Sequence, residues 1–293
     1  MNGILNVNKP QGKTSYDIVA LVKRLSGEKR VGHAGTLDPL ASGVLPVCLG
    51  QGTRVIEFLA ESTKVYRAQI ELGVVTDTYD AEGKVLERKD PSRVNREQVE
   101  SALNSFKGKI LQVPPMFSAL KHQGTPLYKL ARNGTEVERD SRPVEIHRLE
   151  LLDWQPPVLT VEVECGKGTY IRSLAHDLGQ VLGCGASLKS LVRTRYGPFV
   201  IAESISLWEL EESFQFGYFK KLVHPLDMVL TNYPAVVVDD ATGNAIKNGN
   251  TIVLENVSNE NLCRAYNQDN HLLAVLRYEP EKGGWHPEKV FMN

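Results

Sequence analysis

Two segments of the chain alternate cleanly between apolar and polar side chains, residues 64–73 (KVYRAQIELG) and 158–165 (VLTVEVEC). In the first segment, Tyr66, Ala68 and Ile70 point to the same side of an extended backbone, because successive residues of a strand face opposite ways. Strands that bury only one face are typical of antiparallel sheets. Since strands and helices do not alternate regularly along the chain, we predict an α+β fold with a mixed, mainly antiparallel sheet.

Shorter patterns predict further elements within the first 230 residues, which we call the body. The polar stretch at about 117–143 is interpreted as an insertion into the body. The predicted elements rest on caps, breakers and apolar periodicity. They are a strand over 3–10, a helix over 16–26 capped by Ser15, a buried strand over 44–49, a helix over 95–107, a helix over 126–133 with Thr125 as its cap, a helix entered through 166–179, and partly helical structure up to about 222.

Beyond Tyr233 the pattern changes to short apolar runs separated by turns that contain Gly and Asn. Pro225 and Pro234 flank a linker ahead of this region. The runs AVVVDD, NTIVLENV, NLCRAYN and HLLAVLRYE each have the length of a strand. We therefore predict two domains, a body over 1–230 and a small all-β module over 231–293.

Charge is unevenly divided, although the formal net charge of the 293 residues is only −1. Residues 1–200 hold 27 Lys+Arg and 22 Asp+Glu, whereas residues 201–293 hold 7 and 13. A basic body permits a nucleic-acid surface without establishing one. The sequence contains neither an apolar run of about 18 residues nor a secretory signal pattern, and its four cysteines are dispersed. We therefore expect a cytoplasmic protein without disulfides.

Motif searches for cofactors and metals find nothing convincing. Gly12-Lys13-Thr14 lies between a predicted strand and helix, as the end of a phosphate-binding loop would, but Val7 stands where that motif needs glycine. The seven histidines are scattered, and none has another histidine four residues later. We predict no cofactor and no metal.

The segment from Gly32 to Pro46 surrounds a single carboxylate, that of Asp38, with glycines and a histidine. Pro39 disfavours helical geometry at Asp38 and keeps it in a loop. In one interpretation Asp38 caps a short turn that starts at Pro39. In the other, the glycines let the backbone approach a ligand closely and Asp38 is a functional acid.

A second candidate is Arg172, which lies at the start of a predicted helix, where the helix dipole disfavours a cation. Together with Lys167 it would form a positive pocket at the helix entrance. The alternative is a surface ion pair with Asp177 or a neighbouring acid. Tyr66, taken alone, is most simply a core residue.

Five ordered blocks of the sequence resemble one family: NKPQGKTS, GHAGTLDPLASGVLP, KVYRAQIELG with TDTYDAEG, GKGTYIRSLAHDLG, and LVRTRYGPF. They are similar to the TruB family of tRNA pseudouridine synthases, which make pseudouridine at position 55 in the T arm. The resemblance implies a catalytic domain of pseudouridine-synthase type. It also implies that the insertion grips RNA and that the C-terminal module is a PUA-like RNA-binding domain.

The family resemblance implies roles for individual residues. Its chemistry breaks the N1–C1′ bond of uridine, rotates the uracil and joins C5 to C1′. Asp38 would be the nucleophile or base at the sugar, Arg172 its cationic partner, and Tyr66 the aromatic that stacks on the target base. Direct attack by Asp38 and a route through a glycal both stay open. The resemblance further implies substrate-binding roles for His33, Lys9, Tyr170, Asp80 and Leu191.

The implied substrate is tRNA, bound through its T-arm stem-loop with the target base flipped out of the loop. We expect a monomer that needs no protein partner. An alternative from another class is a tRNA-binding folding helper whose chemistry is dispensable. Contacts with RNA phosphates are predicted for a set of basic residues: Lys9, Lys13, Lys23, Arg24, Lys29, Arg30, Lys121, Lys129 and Arg132.

Overall fold

The computed structural model describes residues 1–254 and 261–291. The first elements are β1 (Gly3–Lys9), α1 (Ser15–Ser26), β2 (Val31–His33), β3 (Ala41–Leu49), α2 (Ile56–Ala60), β4 (Lys64–Leu72), β5 (Val74–Thr76), β6 (Val85–Arg88), α3 (Arg96–Ser105), β7 (Gly108–Gln112), β8 (Lys121–His122), β9 (Thr125–Pro126) and α4 (Leu127–Arg132). The remaining ones are β10 (Arg142–Gln155), β11 (Val158–Cys165), α5 (Ile171–Val181), β12 (Ala186–Tyr196), β13 (Phe199–Val200), α6 (Leu207–Gln215), β14 (Ala235–Val237), α7 (Asp240–Lys247), β15 (Leu262–Tyr266), β16 (Leu272–Glu279) and β17 (Gly284–Val290). No helix among the described residues is long and apolar enough to span a membrane.

A nine-stranded sheet forms the body, in the order β1-β3-β12-β4-β11-β10-β7, with β2 added to β3 and β13 added to β12. Its neighbouring strands are antiparallel apart from β3 and β12, which are parallel. The predicted α+β class with a mixed, mainly antiparallel sheet is confirmed. The apolar face of β4 lies in the main core, packed with residues of α1, α3, α5 and α6.

Two predicted helix caps are wrong. Thr14 rather than Ser15 caps α1, because the Thr14 hydroxyl accepts from the Asp17 N–H while the Asp17 carboxylate accepts from the Thr14 N–H. Helix α4 begins after Pro126 without a side-chain cap. Thr125 is instead paired with His122 in the small hairpin β8–β9.

Strand β12 is the element that the sequence interpretation missed in the region assigned as partly helical. It runs through the centre of the sheet and pairs with both β3 and β4. Because β12 pairs with β3, residues near the start of the chain lie beside residues from the last part of the body.

The C-terminal module contains the four-stranded sheet β14-β15-β16-β17. It also contains the helix α7, which the prediction of an all-β module did not include. The Asp239 carboxylate accepts from the Thr242 N–H and caps this helix. Of the strand predicted over NTIVLENV, Ile252 forms an isolated bridge with Trp285, and the part beyond residue 254 lies outside the described residues.

The module packs against the body through a second apolar cluster. Phe58 and Leu59 from the body join Leu230, Val275 and Phe291 in this cluster. An ion pair of 2.8 Å between Lys289 and Glu57 lies on the same side. The body and the module therefore share buried surface.

Candidate active site

Asp38 lies in a loop between β2 and β3 that other segments hold in place. Gly35 opens the loop with a φ of 62°, and a Cβ there would come within 2.8 Å of the Tyr196 ring, so only glycine fits. The buried Ser15 hydroxyl donates to the Leu37 carbonyl (3.0 Å) and accepts from the Leu37 N–H (2.9 Å). Side chains outside the loop therefore fix the backbone next to Asp38.

Both interpretations of Asp38 describe part of what the structure contains. The Ala41 N–H donates to the Asp38 carbonyl at 3.0 Å, which closes a turn over Pro39. The Asp38 carboxylate turns to Arg172, and its Oδ2 lies 2.9 Å from Nη2. The acid is therefore a partner of a buried guanidinium as well as a turn residue.

Arg172 is the second residue of α5 and is buried. Its Nη2 donates to the Phe117 carbonyl at 2.8 Å, and its Nη1 lies 3.6 Å from Oδ2 of Asp80. The surface pair with Asp177 is thus excluded. The helix dipole disfavours a cation at this position, and a buried cation needs charge partners. The carboxylates of Asp38 and Asp80 supply them.

The start of α5 is tied to the end of β7. The Gln112 side chain accepts from the Tyr170 N–H (2.7 Å) and donates to the Tyr170 carbonyl (3.0 Å). The Ser173 hydroxyl donates to the Val113 carbonyl at 2.8 Å. These bonds anchor the helix that carries Arg172 to the base of the insertion.

Opposing effects act on the Asp38 carboxyl. Its burial in the site raises its pKa, the Arg172 guanidinium opposes this rise, and the nearby Asp80 charge reinforces it. The Asp38 side chain is still 39% exposed, whereas the Arg172 side chain is 6% exposed. A carboxylate held this way is open to a ligand on one side and fixed by a cation on the other.

Tyr66 lies on β4, directly opposite Arg193 of β12. Arg193 is 1% exposed, and it donates from Nε to the Val44 carbonyl (2.7 Å) and from Nη2 to the Gly35 carbonyl (2.9 Å). Burial raises the pKa of the Tyr66 hydroxyl, while the Arg193 charge beside it acts the other way. Arg193 thus connects Tyr66 to the Asp38 loop.

His33 and Lys9 differ in where their polar atoms lie. His33 lines the site, its Nδ1 has no hydrogen-bond partner among the described residues, and burial lowers its pKa, which favours the neutral imidazole. Lys9 is fully buried and donates to the carbonyls of Pro10 and Lys13. Burial lowers the pKa of Lys9 to about 8. The Lys9 ammonium therefore holds a turn in this structure, and a contact between Lys9 and RNA stays a prediction.

The loop of Asp38, the start of α5 and the facing strands β4 and β12 surround a cavity of about 680 Å³. A space of this size is typical of pockets that enclose small ligands. The structure brings seven of the eight site residues predicted from the sequence to its wall, and Lys9 is the exception. The seven are His33, Asp38, Tyr66, Asp80, Tyr170, Arg172 and Leu191.

The cavity is also lined by residues that the sequence interpretation did not select, among them Glu82, Tyr128 and Arg193. Arg193 lies in the block LVRTRYGPF, and its membership of that block was the signal available in the sequence. Lys167, expected beside Arg172, instead pairs with Glu61 at 2.7 Å on the surface. Among residues 1–254 and 261–291, no three His, Cys, Asp or Glu side chains come together as a metal-binding group.

Comparison with known proteins assigns this fold and cavity to a class. Residues 23–171 match the family model described as TruB family pseudouridylate synthase, N-terminal domain. Residues 172–231 match the model described as tRNA pseudouridylate synthase B C-terminal domain. The boundary between the two matches falls next to Arg172. The protein is therefore a pseudouridylate synthase, an isomerase.

Curated relatives identify the family. The chain is 49% identical to tRNA pseudouridine synthase B of Dehalococcoides mccartyi strain CBDB1 over 292 residues, which cover 100% of this chain and 97% of the relative. It is 44% identical to the protein of the same name from Clostridium tetani over 274 residues, covering 92% and 93%. The chain belongs to the TruB family.

Solved structures with the same architecture include a Cbf5-Nop10-Gar1 complex, with a TM-score of 0.78 and 29% identity. A second is an H/ACA RNP bound to a substrate RNA that contains 2'-deoxyuridine, with a TM-score of 0.76 and 26% identity. Each match covers 99% of this chain and 85% of the other. The similarity extends over the body and the C-terminal sheet.

Proposed function

We propose that this pseudouridylate synthase converts uridine 55 in the T arm of tRNA to pseudouridine. The relatives with 49% and 44% identity are both named tRNA pseudouridine synthase B, which supports tRNA as the substrate. One observation carries the proposal: the Asp38 carboxylate, 2.9 Å from the buried Arg172 guanidinium, is still exposed to a cavity with room for a nucleoside.

The cavity requires the target base to leave the T loop. An enzyme that reacts at a base inside folded RNA must extrude it, at a cost of a few kcal/mol. Tyr66 forms an aromatic wall on which the uracil stacks, and Leu191 adds apolar surface. His33 supports the rearranged loop without taking part in the bond chemistry, and Tyr170 and Asp80 contact the flipped nucleoside.

The reaction is an isomerisation in which nothing is oxidised or reduced. Asp38 acts at the ribose as nucleophile or base, the N1–C1′ bond breaks, and the uracil turns within the cavity. C5 then bonds to C1′, the C5 proton is lost to solvent, and N1 gains a proton. Arg172 favours the ionised form of Asp38 that either route requires.

RNA binding is assigned to the body and its insertion. The predicted contact residues other than Lys9 are exposed just before α1, along α1, in the segment that follows it and on the insertion. Residues 231–293 are proposed as a PUA-like module, with the body over residues 1–230. The enzyme is proposed to act as a monomer in the cytoplasm, without a cofactor or metal.

Tritium release from tRNA labelled at C5 of uridine tests this function. We expect release of one tritium per tRNA, and none from a transcript with cytidine at position 55. Reverse-transcription mapping of carbodiimide-treated tRNA should then locate the modification at position 55. Binding without tritium release would support the tRNA-folding alternative and contradict the proposal.

A further inference from the structure

Tyr79 has a left-handed backbone in the loop between β5 and β6, with a φ of 64°. A bulky side chain rarely adopts this conformation, because the Cβ then crowds the backbone. The Tyr79 carbonyl accepts from the Leu188 N–H at 2.9 Å, and its N–H donates to the Thr76 carbonyl at 3.3 Å. The fold therefore holds Tyr79 in a strained conformation by bonds on both sides.

The reason for this conformation lies in the position of the ring. The Tyr79 ring stacks on the His176 imidazole, with centroids 3.9 Å apart and planes at 14°. The Nδ1 of His176 is buried and has no hydrogen-bond partner within the described part of the chain. Burial lowers the pKa of His176, which favours the neutral imidazole in the stack.

Each ring belongs to an element that carries a residue of the active site. Tyr79 directly precedes Asp80 in the sequence. His176 lies four residues after Arg172 on α5, and therefore on the same face of the helix one turn later. The stack thus joins the loop that presents Asp80 to the helix that presents Arg172.

The loop also orients the Asp80 carboxylate. Oδ1 accepts from the Thr78 hydroxyl at 2.6 Å and from the Glu82 N–H at 3.1 Å. Oδ2 is thereby left to face Nη1 of Arg172 at 3.6 Å. The other side of the guanidinium, Nη2, contacts Asp38 at 2.9 Å. One guanidinium therefore lies between two carboxylates.

We propose that the stacked rings of Tyr79 and His176 are a positioning device that holds Asp80 against Arg172, so that Asp80 and Asp38 share one guanidinium. Tyr79 and His176 are positioning residues, and their effect on turnover rests on the proposed function. Because Asp80 takes part of the positive charge, Asp38 is less neutralised and is a stronger nucleophile or base. Without the stack, no ring contact ties the loop to α5, so Asp80 withdraws from Arg172 and Asp38 keeps the guanidinium alone.

Loss of the stack should change the pKa of Asp38 in one definite direction. The groups that act electrostatically on Asp38 are Arg172 and Lys9, which lower its pKa, and Asp80, which raises it. Glu82 is a further acid beside this group. Withdrawal of Asp80 therefore lowers the pKa of Asp38, whereas general loosening of Arg172 would raise it. The two explanations predict opposite shifts.

Titration of the Asp38 carboxyl by 13C NMR in the free protein tests the proposal without turnover, with the resonance assigned by its loss in Asp38→Asn. We expect a lower Asp38 pKa in His176→Ala and Tyr79→Gly, and a value close to wild type in His176→Phe, which keeps a flat ring. Tyr79→Gly removes the ring but suits the left-handed backbone, so its melting temperature should not fall. The double variant should shift no further than either single variant.

A kinetic readout accompanies the titration. Turnover at saturating tRNA should fall about five- to tenfold in Tyr79→Gly and His176→Ala, and His176→Phe should recover most of it. Asn270→Gly, which replaces another left-handed residue in the C-terminal module, is the matched control and should alter neither readout.

The outcomes separate the two proposals. An Asp38 pKa that is unchanged or raised in both ring-deletion variants overturns the positioning role, whatever the turnover. If the pKa falls as expected but the wild type releases no tritium, the positioning role stands and the proposed function fails.

Discussion

Both parts of the molecule contain an arginine–carboxylate pair of nearly the same length, but in opposite environments. Arg172 and Asp38 in the body are 2.9 Å apart, and the arginine side chain is only 6% exposed. Arg277 and Glu288 in the C-terminal module are 2.8 Å apart, with the arginine 47% exposed. Solvent screens the second pair more than the first, in which the guanidinium is buried. Burial of the arginine, rather than contact distance, distinguishes the two pairs.

Individual exposed cations of the two regions also have different surroundings. In the module, Arg277 and Lys282 pair with acids of the module itself, and Lys289 pairs with Glu57 of the body. In the body, Lys13 and Lys129 are exposed next to residues that line the cavity. Other cations of the body, such as Arg148 and Lys167, also pair with acids, so the difference concerns the exposed lysines beside the cavity and not the regions as a whole.

The largest difference is expected for the same substitution made in both pairs. Arg172→Lys keeps the charge but loses the planar fork that contacts both carboxylates, so kcat should fall about 100- to 1,000-fold. Arg277→Lys should change kcat by less than about twofold, because exposed pairs contribute about 0–1 kcal/mol. Steady-state kinetics on tRNA compares them. Full activity of Arg172→Lys would show that the body pair is no more specific than the module pair.

The pH dependence of kcat/KM should identify Asp38 as the titrating acid. Its pKa is raised above the ordinary 3.8 by burial, so activity that needs the ionised form falls as the pH drops through this raised value. The expected loss is about tenfold per pH unit on that limb. Asp177, whose pKa burial raises to about 6, is the matched control. If Asp177→Asn removed the limb, or if no limb were present above pH 4, the assignment to Asp38 would be contradicted.

A smaller effect is expected for exposed lysines. The double variant Lys13→Gln/Lys129→Gln should weaken tRNA binding several-fold and lower the salt slope of the affinity by about one for each lost phosphate contact. Lys247→Gln/Lys282→Gln removes the same charge from the module and should leave the slope nearly unchanged. Filter binding over a salt series measures both. Equal slopes for the two double variants would place the electrostatic affinity in both regions.

The smallest effect is expected where body and module meet. A double-mutant cycle of Glu57→Ala and Lys289→Ala should give a coupling free energy below about 1 kcal/mol in denaturant unfolding, because both side chains are partly exposed. Turnover should be unchanged in all three variants. A larger coupling, or a loss of turnover, would mean that the module is coupled to the active site through this contact.

The sequence predicted strands wherever the side-chain period was undisturbed, as in β4 and β11. Strand β12 was not predicted because its register shifts twice, between Leu188 and Ser190 and again between Arg193 and Arg195. These shifts break the two-residue period. Strand β10 contains two similar shifts. Helix α7 was missed because Thr242 and Gly243 weaken its helical pattern, and its cap became visible only in the fold.

The site could be predicted as far as the family blocks extend, and the remaining residues depend on contacts that no local pattern encodes. Arg193 holds carbonyls at Gly35 and Val44, about 150 residues away in the sequence. Lys9 stands in a family block, yet its ammonium turns inward to nearby carbonyls. The sequence therefore selected seven residues that line the cavity, but it showed neither that Lys9 turns inward nor that Arg193 belongs to the wall.

The most direct test of the central claim is single-turnover tritium release by the Asp38→Asn variant at saturating enzyme. Asparagine keeps the shape of the side chain but cannot act as nucleophile or base. We expect tRNA binding within a few-fold of wild type and a release rate below about one thousandth of it. Undiminished release would contradict the assignment of the chemistry to the buried pair of Asp38 and Arg172.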